Sequence, residues 1–229
     1  MHPLRIFIGY DPREAVAFHV CANSIIRHAS VPVSIQPLAL NTMQKFYGEQ
    51  HTDGSNQFIY SRFLVPYLCG FEGPALFVDG DMLIKDDVAK LFDMLDNYAD
   101  VAVVKHEYKT KHSTKYFGQK NDDYPRKNWS SVILWNCGSF PNRVLTPEFV
   151  ATQTGSFLHR FQWLKDERIQ SLPISWNWLV DEYEHNDDAK LLHFTLAIPA
   201  VQSYEDCDHS VEWWDEFHRT IEVDENRNG

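Results

Sequence analysis

The sequence predicts an α/β domain with a mostly parallel central sheet flanked by helices. Short apolar runs recur at Arg5-Ile6-Phe7-Ile8, Val33-Ser34-Ile35, Ala75-Leu76-Phe77-Val78 and Val101-Ala102-Val103-Val104. Helix-start signals stand between several of them, and strand–helix–strand order favours parallel pairing. The 229 residues fit one domain spanning 1–229.

The first apolar run reads as a buried strand ending at Gly9-Tyr10-Asp11-Pro12. Asp11, Pro12 and Glu14 then have the order of an N-cap, an N1 proline and an acidic first turn. In the helix that follows, Ala17, Val20, Cys21, Ser24, Ile25 and His28 share one face. A second helix is expected over Phe58–Leu68 with Phe63, Leu64 and Tyr67 inward, kinked or shortened by Pro66. Asp86 or Asp87 caps a third, with Val88, Leu91, Phe92 and Leu95 on one face. Residues 109–129 read as a long polar loop, and such loops in compact domains are often functional. Val132-Ile133-Leu134-Trp135 and Leu191-Leu192-His193-Phe194 are later strands, and 222–229 is a polar tail.

Hydrophobic residues make up 44% of the chain, enough for a core and unlike a disordered segment. The net charge of −11 argues against nucleic acid, which needs a basic face. It also means that an anionic substrate requires a local cation. No window has the ~18 consecutive apolar residues of a membrane span, and Met1–Tyr10 passes straight into a strand pattern unlike a signal peptide. Cys21, Cys69, Cys137 and Cys207 are scattered, as expected for reduced thiols of a cytoplasmic protein.

Asp79-Gly80-Asp81 carries the most chemistry. An apolar strand ends in two carboxylates separated by one glycine, at the strand end where open α/β sheets bind ligands. Carboxylates this close repel unless a proton or cation lies between them, and hard oxygen ligands suit Mg²⁺ or Mn²⁺. Gly80 removes a side chain from the approach path. The simpler reading is a polar turn after a buried strand.

The run Phe77-Val78-Asp79-Gly80-Asp81-Met82-Leu83-Ile84, followed by Asp87-Val88-Ala89-Lys90-Leu91-Phe92, resembles the D-x-D segment of GT-A glycosyltransferases, above all the family 8 type and its bacterial relatives. Other pieces fall in the family's order. Ile8-Gly9-Tyr10-Asp11 resembles the first strand and nucleotide-contacting turn, and Tyr60-Ser61-Arg62-Phe63 the arginine helix. Trp135-Asn136-Cys137-Gly138 resembles the Phe-Asn-Ala-Gly strand, and Leu192-His193-Phe194-Thr195 the element bearing a metal-binding histidine. The resemblance spans roughly residues 4 to 200. Two features depart from it. Ala197-Ile198-Pro199-Ala200 replaces a Lys-Pro-Trp-like clamp, and Asp166-Glu167-Arg168 matches an Asp-Gln-Asp element only loosely.

The resemblance implies a GT-A fold and a retaining hexosyltransferase using a nucleotide sugar, UDP by default, and a saccharide or other hydroxyl acceptor. It implies Mn²⁺ or Mg²⁺ held by Asp79, Asp81 and His193, although a lone strand histidine is more often a satisfied core residue. Gly9, Tyr10, Asp11, Arg62, Asp79 and Gly80 are the expected nucleotide-sugar contacts. Asp11 as a plain N-cap and Arg62 as a solvated cation are the simpler alternatives. Lys127, with Arg126, stands in for the missing clamp lysine. Asn136 and one of Asp166 and Glu167 are the expected catalytic residues, the carboxylate acting as nucleophile or as steadying charge. Trp129, Trp176 and Trp178 would form a sugar-stacking wall if they are not core.

Two other readings are open. A haloacid dehalogenase-type phosphatase also places Asp-x-Asp after an apolar strand, but near the N-terminus and with a later acidic element that is not found here. A catalytically inactive nucleotide-sugar-binding module would bind donor without turnover.

Overall fold

The computed structural model describes residues 2–52, 56–115 and 118–223, so the tail expected over 222–229 lies outside the described residues beyond Val223. Strand β1 (Leu4–Gly9) leads through a short 3-10 turn into helix α1 (Ala15–His28), then β2 (Val33–Leu38) and the single helical turn α2 (Leu40–Met43). Asp11 caps the 3-10 turn by accepting from the Arg13 amide, as its position before Pro12 predicts. Ala17, Val20, Cys21, Ser24 and Ile25 of α1 are buried, while His28 is half-exposed.

The helix expected over Phe58–Leu68 is broken in two: a 3-10 turn at Ser61–Leu64, then α3 (Val65–Leu68) with Pro66 in its first turn, where its missing N–H costs nothing. Phe63 and Leu64 are buried as expected; Tyr67 instead points outward.

β3 (Pro74–Val78) delivers the acidic turn, and β4 (Met82–Ile84), a strand that the sequence pattern did not reveal, leaves it. Asp87 caps α4 (Val88–Phe92) through the Ala89 amide. β5 (Val101–Val103) follows. The polar stretch expected to be a plain loop contains a small hairpin, β6 (Thr114–Lys115) and β7 (Gln119–Lys120). β8 (Val132–Asn136), α5 (Pro147–Thr152), α6 (Gly155–His159), β9 (Ile169–Ser171), β10 (Trp178–Leu179), β11 (Leu191–His193) and α7 (Ser210–Ile221) complete the chain.

The main sheet runs β2-β1-β3-β8-β5-β9. It is parallel at β2–β1, β1–β3 and β5–β9, and antiparallel only where β8 meets its two neighbours. Alternate residues enter opposite cores, as the period of 2 in a strand dictates. Phe7, Phe77, Val101, Ile133 and Trp135 face one; Ile6, Ile8, Leu76, Val78, Ala102 and Leu134 face the other. Both faces are therefore dry, which is why these strands read as unbroken apolar runs.

The sequence marks β11 as a later strand but not which sheet it joins. It lies in a separate three-stranded sheet, β10-β11-β4. Packing of α1 and α7 against this second sheet forms a third core around Val20, Leu83, Leu192, Phe194 and Trp213. The cysteines are free, and no helix among the described residues is long and apolar enough to cross a membrane.

Candidate functional site

The site begins with β3. Because β3 pairs with β8 in register through Val78 and Val132, the Asp79 amide continues the ladder and donates to the Ser131 carbonyl at 3.0 Å. The chain turns at Gly80 and re-enters a sheet at Met82. Gly80 is required by packing: a Cβ there would lie 2.5 Å from the Gly9 carbonyl oxygen. The expectation that Gly80 clears a ligand's path is replaced by this backbone contact. Gly9 differs from expectation in the same way, since the Phe58 ring fills the space a Cβ would need, at 2.3 Å.

His193 reaches the turn through β-pairing. β11 runs antiparallel to β4 with His193 opposite Met82, and the Phe194 amide donates to the Asp81 carbonyl. The imidazole Nε2 lies 3.5 Å from Asp81 Oδ1 and 4.0 Å from Asp79 Oδ2. Ligand atoms of Asp79, Asp81 and His193 all fall within 4.8 Å of one another.

The histidine's other nitrogen sets its state. The side-chain amide of buried Asn177 donates to Ser131 Oγ at 2.8 Å, so Asn177 Oδ1 must accept from His193 Nδ1 at 3.0 Å. With the proton on Nδ1, Nε2 is the ring nitrogen that faces the two carboxylates and is free to ligate. Buried Asp81 Oδ1 has no hydrogen-bond partner among the described residues. An orphan carboxylate oxygen, an imidazole lone pair and a mixed O/N donor set, with an amide holding the histidine from behind, fit a divalent cation such as Mn²⁺ or Mg²⁺.

Arg62 lines the cavity but is not the solvated cation of the simpler alternative. It is 4% exposed, with Nη1 2.8 Å from Asp79 Oδ1. Its Nε donates to the Ile59 carbonyl and its Nη1 to the Ser130 carbonyl, so the contact with Asp79 is a close charge pair rather than an aligned hydrogen bond. The guanidinium also lies 4.9 Å from the Phe77 ring centroid. Burial raises the Asp79 carboxyl to about 6, with Arg62 and His193 opposing and Asp81 adding to the rise.

A cavity of about 440 Å³ opens over Asp79, Asp81 and His193, within the range of small-ligand sites. Its wall includes Arg62, Lys115, Lys120, Tyr124, Ser130, His159 and Arg160. Lys115 and Lys120 come from the β6–β7 hairpin, inside the polar stretch the sequence flagged. Burial lowers the Lys115 ammonium, while Asp81 and Asp79 pull it back up. The expected clamp residue, Lys127, lines a smaller neighbouring cavity and bonds Asn121 Oδ1 at 2.6 Å. Lys115, Lys120, Arg160 and Asn177 were missed. The density of lysines in the loop was the available signal for the first two; Asn177, between two tryptophans, carried none.

Several expected site residues lie elsewhere. Asn136 ends β8, which is antiparallel, so it pairs with Pro74 at the start of β3, a strand's length from Asp79. Its side chain donates to the Ala99 carbonyl. Asp166 and Glu167 precede β9 in an exposed 3-10 turn outside the cavity lining, and Asp166 (side chain 77% exposed) pairs with Arg126 at 2.6 Å. Asp11 is buried, and its carboxylate is occupied by the Arg13 guanidinium and the Gln57 amide. Burial pushes that carboxyl up, but the Arg13 contacts prevail and hold it low. Tyr10 packs edge-on to Phe18. The tryptophan wall does not form: Trp176 is core, Trp178 packs on Tyr183, and Trp129 donates to the His106 carbonyl.

Buried His106, whose carbonyl accepts from Trp129, yields a pH prediction. Burial lowers its imidazole to about 3, against ~6.5 in an unfolded chain. Below ~6.5 the unfolded chain therefore binds a proton that the folded one refuses, and stability falls with pH. Urea denaturation is expected to show a loss of about 2 kcal/mol from His106 alone between pH 8 and 5. His106→Gln should remove that share; an unchanged pH slope would show that the ring is not held neutral.

No family model matches the chain. Solved structures give the class: the fold is that of the GT-A glycosyltransferases. The apo WbbM bifunctional glycosyltransferase superposes with a TM-score of 0.67 at 16% identity, over 96% of this chain and 50% of that one. The galactosyltransferase LgtC, in complex with donor and acceptor sugar analogs, gives 0.60 at 12% identity, over 97% and 98%. GlyE of Streptococcus pneumoniae TIGR4 gives 0.63 at 14% identity, over 97% and 61%. The chain thus spans about half of WbbM and about three-fifths of GlyE. Over 223 residues it is 43% identical to Protein CDI of Arabidopsis thaliana, covering 94% of this chain and 86% of that protein, and it belongs to the Protein CDI family.

Proposed function

We propose that the chain is a single-domain, metal-dependent glycosyltransferase of the cytoplasm. It moves a hexose from a nucleotide sugar, by preference a UDP-sugar, to a saccharide or other hydroxyl acceptor with retention. The observation that carries this reading is the convergence of Asp79, Asp81 and His193 at the floor of a cavity of about 440 Å³.

Asp81 and His193, with Asp79, would hold the divalent cation. When bound, the cation supplies Lewis-acid stabilisation of the departing diphosphate. Asn177 keeps His193 in the ligating tautomer, and Arg62 keeps Asp79 oriented and partly neutralised. Lys115, Lys120 and Arg160 supply the positive wall that the lost clamp and the acidic chain otherwise lack.

Among the described residues, Asp79 and Asp81 are the acidic ones on the cavity wall, and both are assigned to the cation. That favours transfer on one face of the sugar. The bond from the anomeric carbon to the phosphate oxygen breaks, the acceptor oxygen takes its place, and the acceptor's proton passes to that phosphate oxygen. The phosphatase alternative has no support among the similar solved structures, which are glycosyltransferases.

Calorimetry with UDP and UDP-sugars tests the metal reading. Affinity is expected to rise at least ~100-fold on replacing EDTA by Mn²⁺, several kcal/mol of charge neutralisation. Equal affinity in both conditions would refute the metal bridge. Donor binding without turnover against any hydroxyl acceptor would favour the inactive module.

A further inference from the structure

A second cavity of about 250 Å³ adjoins the one over the Asp79-Gly80-Asp81 turn and shares Lys115, Lys120, Tyr124, Asn128 and Thr195 with its wall. Asn121, Asp122 and Lys127 line the second cavity but not the first. Lys127 is held there from behind. Buried Glu182 accepts from the Lys111 amide on one carboxylate oxygen at 2.7 Å and from the Asn121 side-chain amide on the other at 2.9 Å. That amide also donates to the His112 carbonyl at 2.8 Å. Asn121 Oδ1 is thereby fixed as an acceptor, and Lys127 Nζ donates to it at 2.6 Å. The same ammonium donates to the Asp122 carbonyl at 3.0 Å. The ring centroids of Tyr108 and Tyr124 stand 6.0 and 5.8 Å from it.

Both acceptors are neutral. An ammonium has three donors, so one remains for whatever enters the cavity. Among the described residues, none of Lys115, Lys120 and Lys127 has a carboxylate within ion-pair distance. Burial lowers the half-buried Lys127 ammonium, and Glu182 and Asp123 pull it back up only from a distance. A cation drawn out of water with no counter-charge in contact is costly until an anion arrives.

The chemistry of the main cavity does not consume these lysines. There a divalent cation and Arg62 would face Asp79, Asp81 and the doubly charged diphosphate of a donor, which leaves a single negative charge. Lys115 cancels it from the cavity wall. Lys120 and Lys127 are then surplus, even before Arg160 is counted. Positive charge beyond what the donor needs, in a cavity open to the first, is placed for the second substrate.

We propose, on the transferase reading of the main cavity, that this second cavity is the acceptor subsite and takes an acidic group, a phosphate or carboxylate borne by the acceptor sugar. Lys127 and Lys120 supply the counter-charge, and the Asn121–Glu182 pair orients Lys127. A neutral acceptor leaves both ammoniums without that charge and is bound less well.

The test uses the full chain with saturating UDP and Mn²⁺, so that the donor cavity is filled. Calorimetry then measures glucose, glucose 6-phosphate, glucuronate and inorganic phosphate. At least one acidic sugar is expected to bind ~10-fold or more tightly than glucose, and the tighter of the two says whether the group is a phosphate or a carboxylate. Lys127→Gln should remove the preference and Lys127→Arg should keep most of it. UDP affinity in Mn²⁺ should stay unmoved in both, because Lys127 lies off the wall of the main cavity. Glucose bound as tightly as both acidic sugars, or a preference indifferent to Lys127→Gln, would overturn the inference. So would inorganic phosphate bound as tightly as glucose 6-phosphate, which marks a site for the free ion. Failure of the donor reading shows separately, as UDP binding that ignores Mn²⁺, and the same titrations without UDP still report the dependence on Lys127.

Discussion

Asp81→Asn is expected to reduce Mn²⁺-dependent transfer by on the order of 10²–10³-fold or more, with the fold intact. The amide keeps the carboxylate's shape but not its charge, and the replaced oxygen is a buried orphan. Two near carboxylates repel in the absence of metal, and burial already lifts Asp79. Neutralising Asp81 should therefore leave the melting temperature in EDTA unchanged or slightly higher, while abolishing the gain that Mn²⁺ gives the parent chain. The same separation is expected of His193→Ala, paired with Asn177→Asp as a test of the imidazole's orientation. Normal turnover by Asp81→Asn, with a normal Mn²⁺ response, would remove the residue from the site.

Arg62→Met should have the largest effect on stability. It leaves the buried Asp79 without its cation, and breaking a buried pair from one side costs about 3–5 kcal/mol. The stem of the methionine keeps much of the packing on Phe77 and Phe58, so the loss is chiefly electrostatic. Asp79→Asn in the Arg62→Met background should restore a large part, because the uncompensated charge disappears. The sign with pH follows from the raised Asp79 carboxyl. Arg62 holds the Asp79 carboxyl down against burial, so without it that carboxyl rises above the parent's value of about 6, and the deficit should shrink as pH falls toward about 6. Denaturant midpoints of the single and double variants at pH 8 and pH 5.5 measure it. A double variant no more stable than Arg62→Met would show that the arginine acts through packing alone.

The strands of the main sheet were legible because their signal is local. Both faces of β1, β3, β5 and β8 are buried, so each reads as a short apolar run whatever its neighbours. The caps at Asp11 and Asp87 were legible for the same reason, since a side-chain acceptor two residues from its donor needs no tertiary partner. β4 was not, because its three residues directly follow the acidic turn and stay a strand only by pairing with β11. Strand direction sets Asn136, Asp166 and Glu167 away from the Asp79 turn. Asn136 does end a buried strand, but an antiparallel one, and so stands at the far edge from Asp79. No pattern within five residues reports which way a strand runs between its neighbours.

The sequence by itself determined the α/β class, the chemistry of the Asp79-Gly80-Asp81 turn and its place at the end of an apolar strand. These follow from residue type, period and adjacency along the chain. Only the tertiary structure decided that His193 stands beside that turn, that Asn177 orients it, that Arg62 is bound to Asp79, and that Lys115 and Lys120 rather than Lys127 line the cavity. Each of these is a meeting of distant segments. It is settled by which backbone edges pair and which buried charges must find a partner, quantities that belong to the folded chain as a whole.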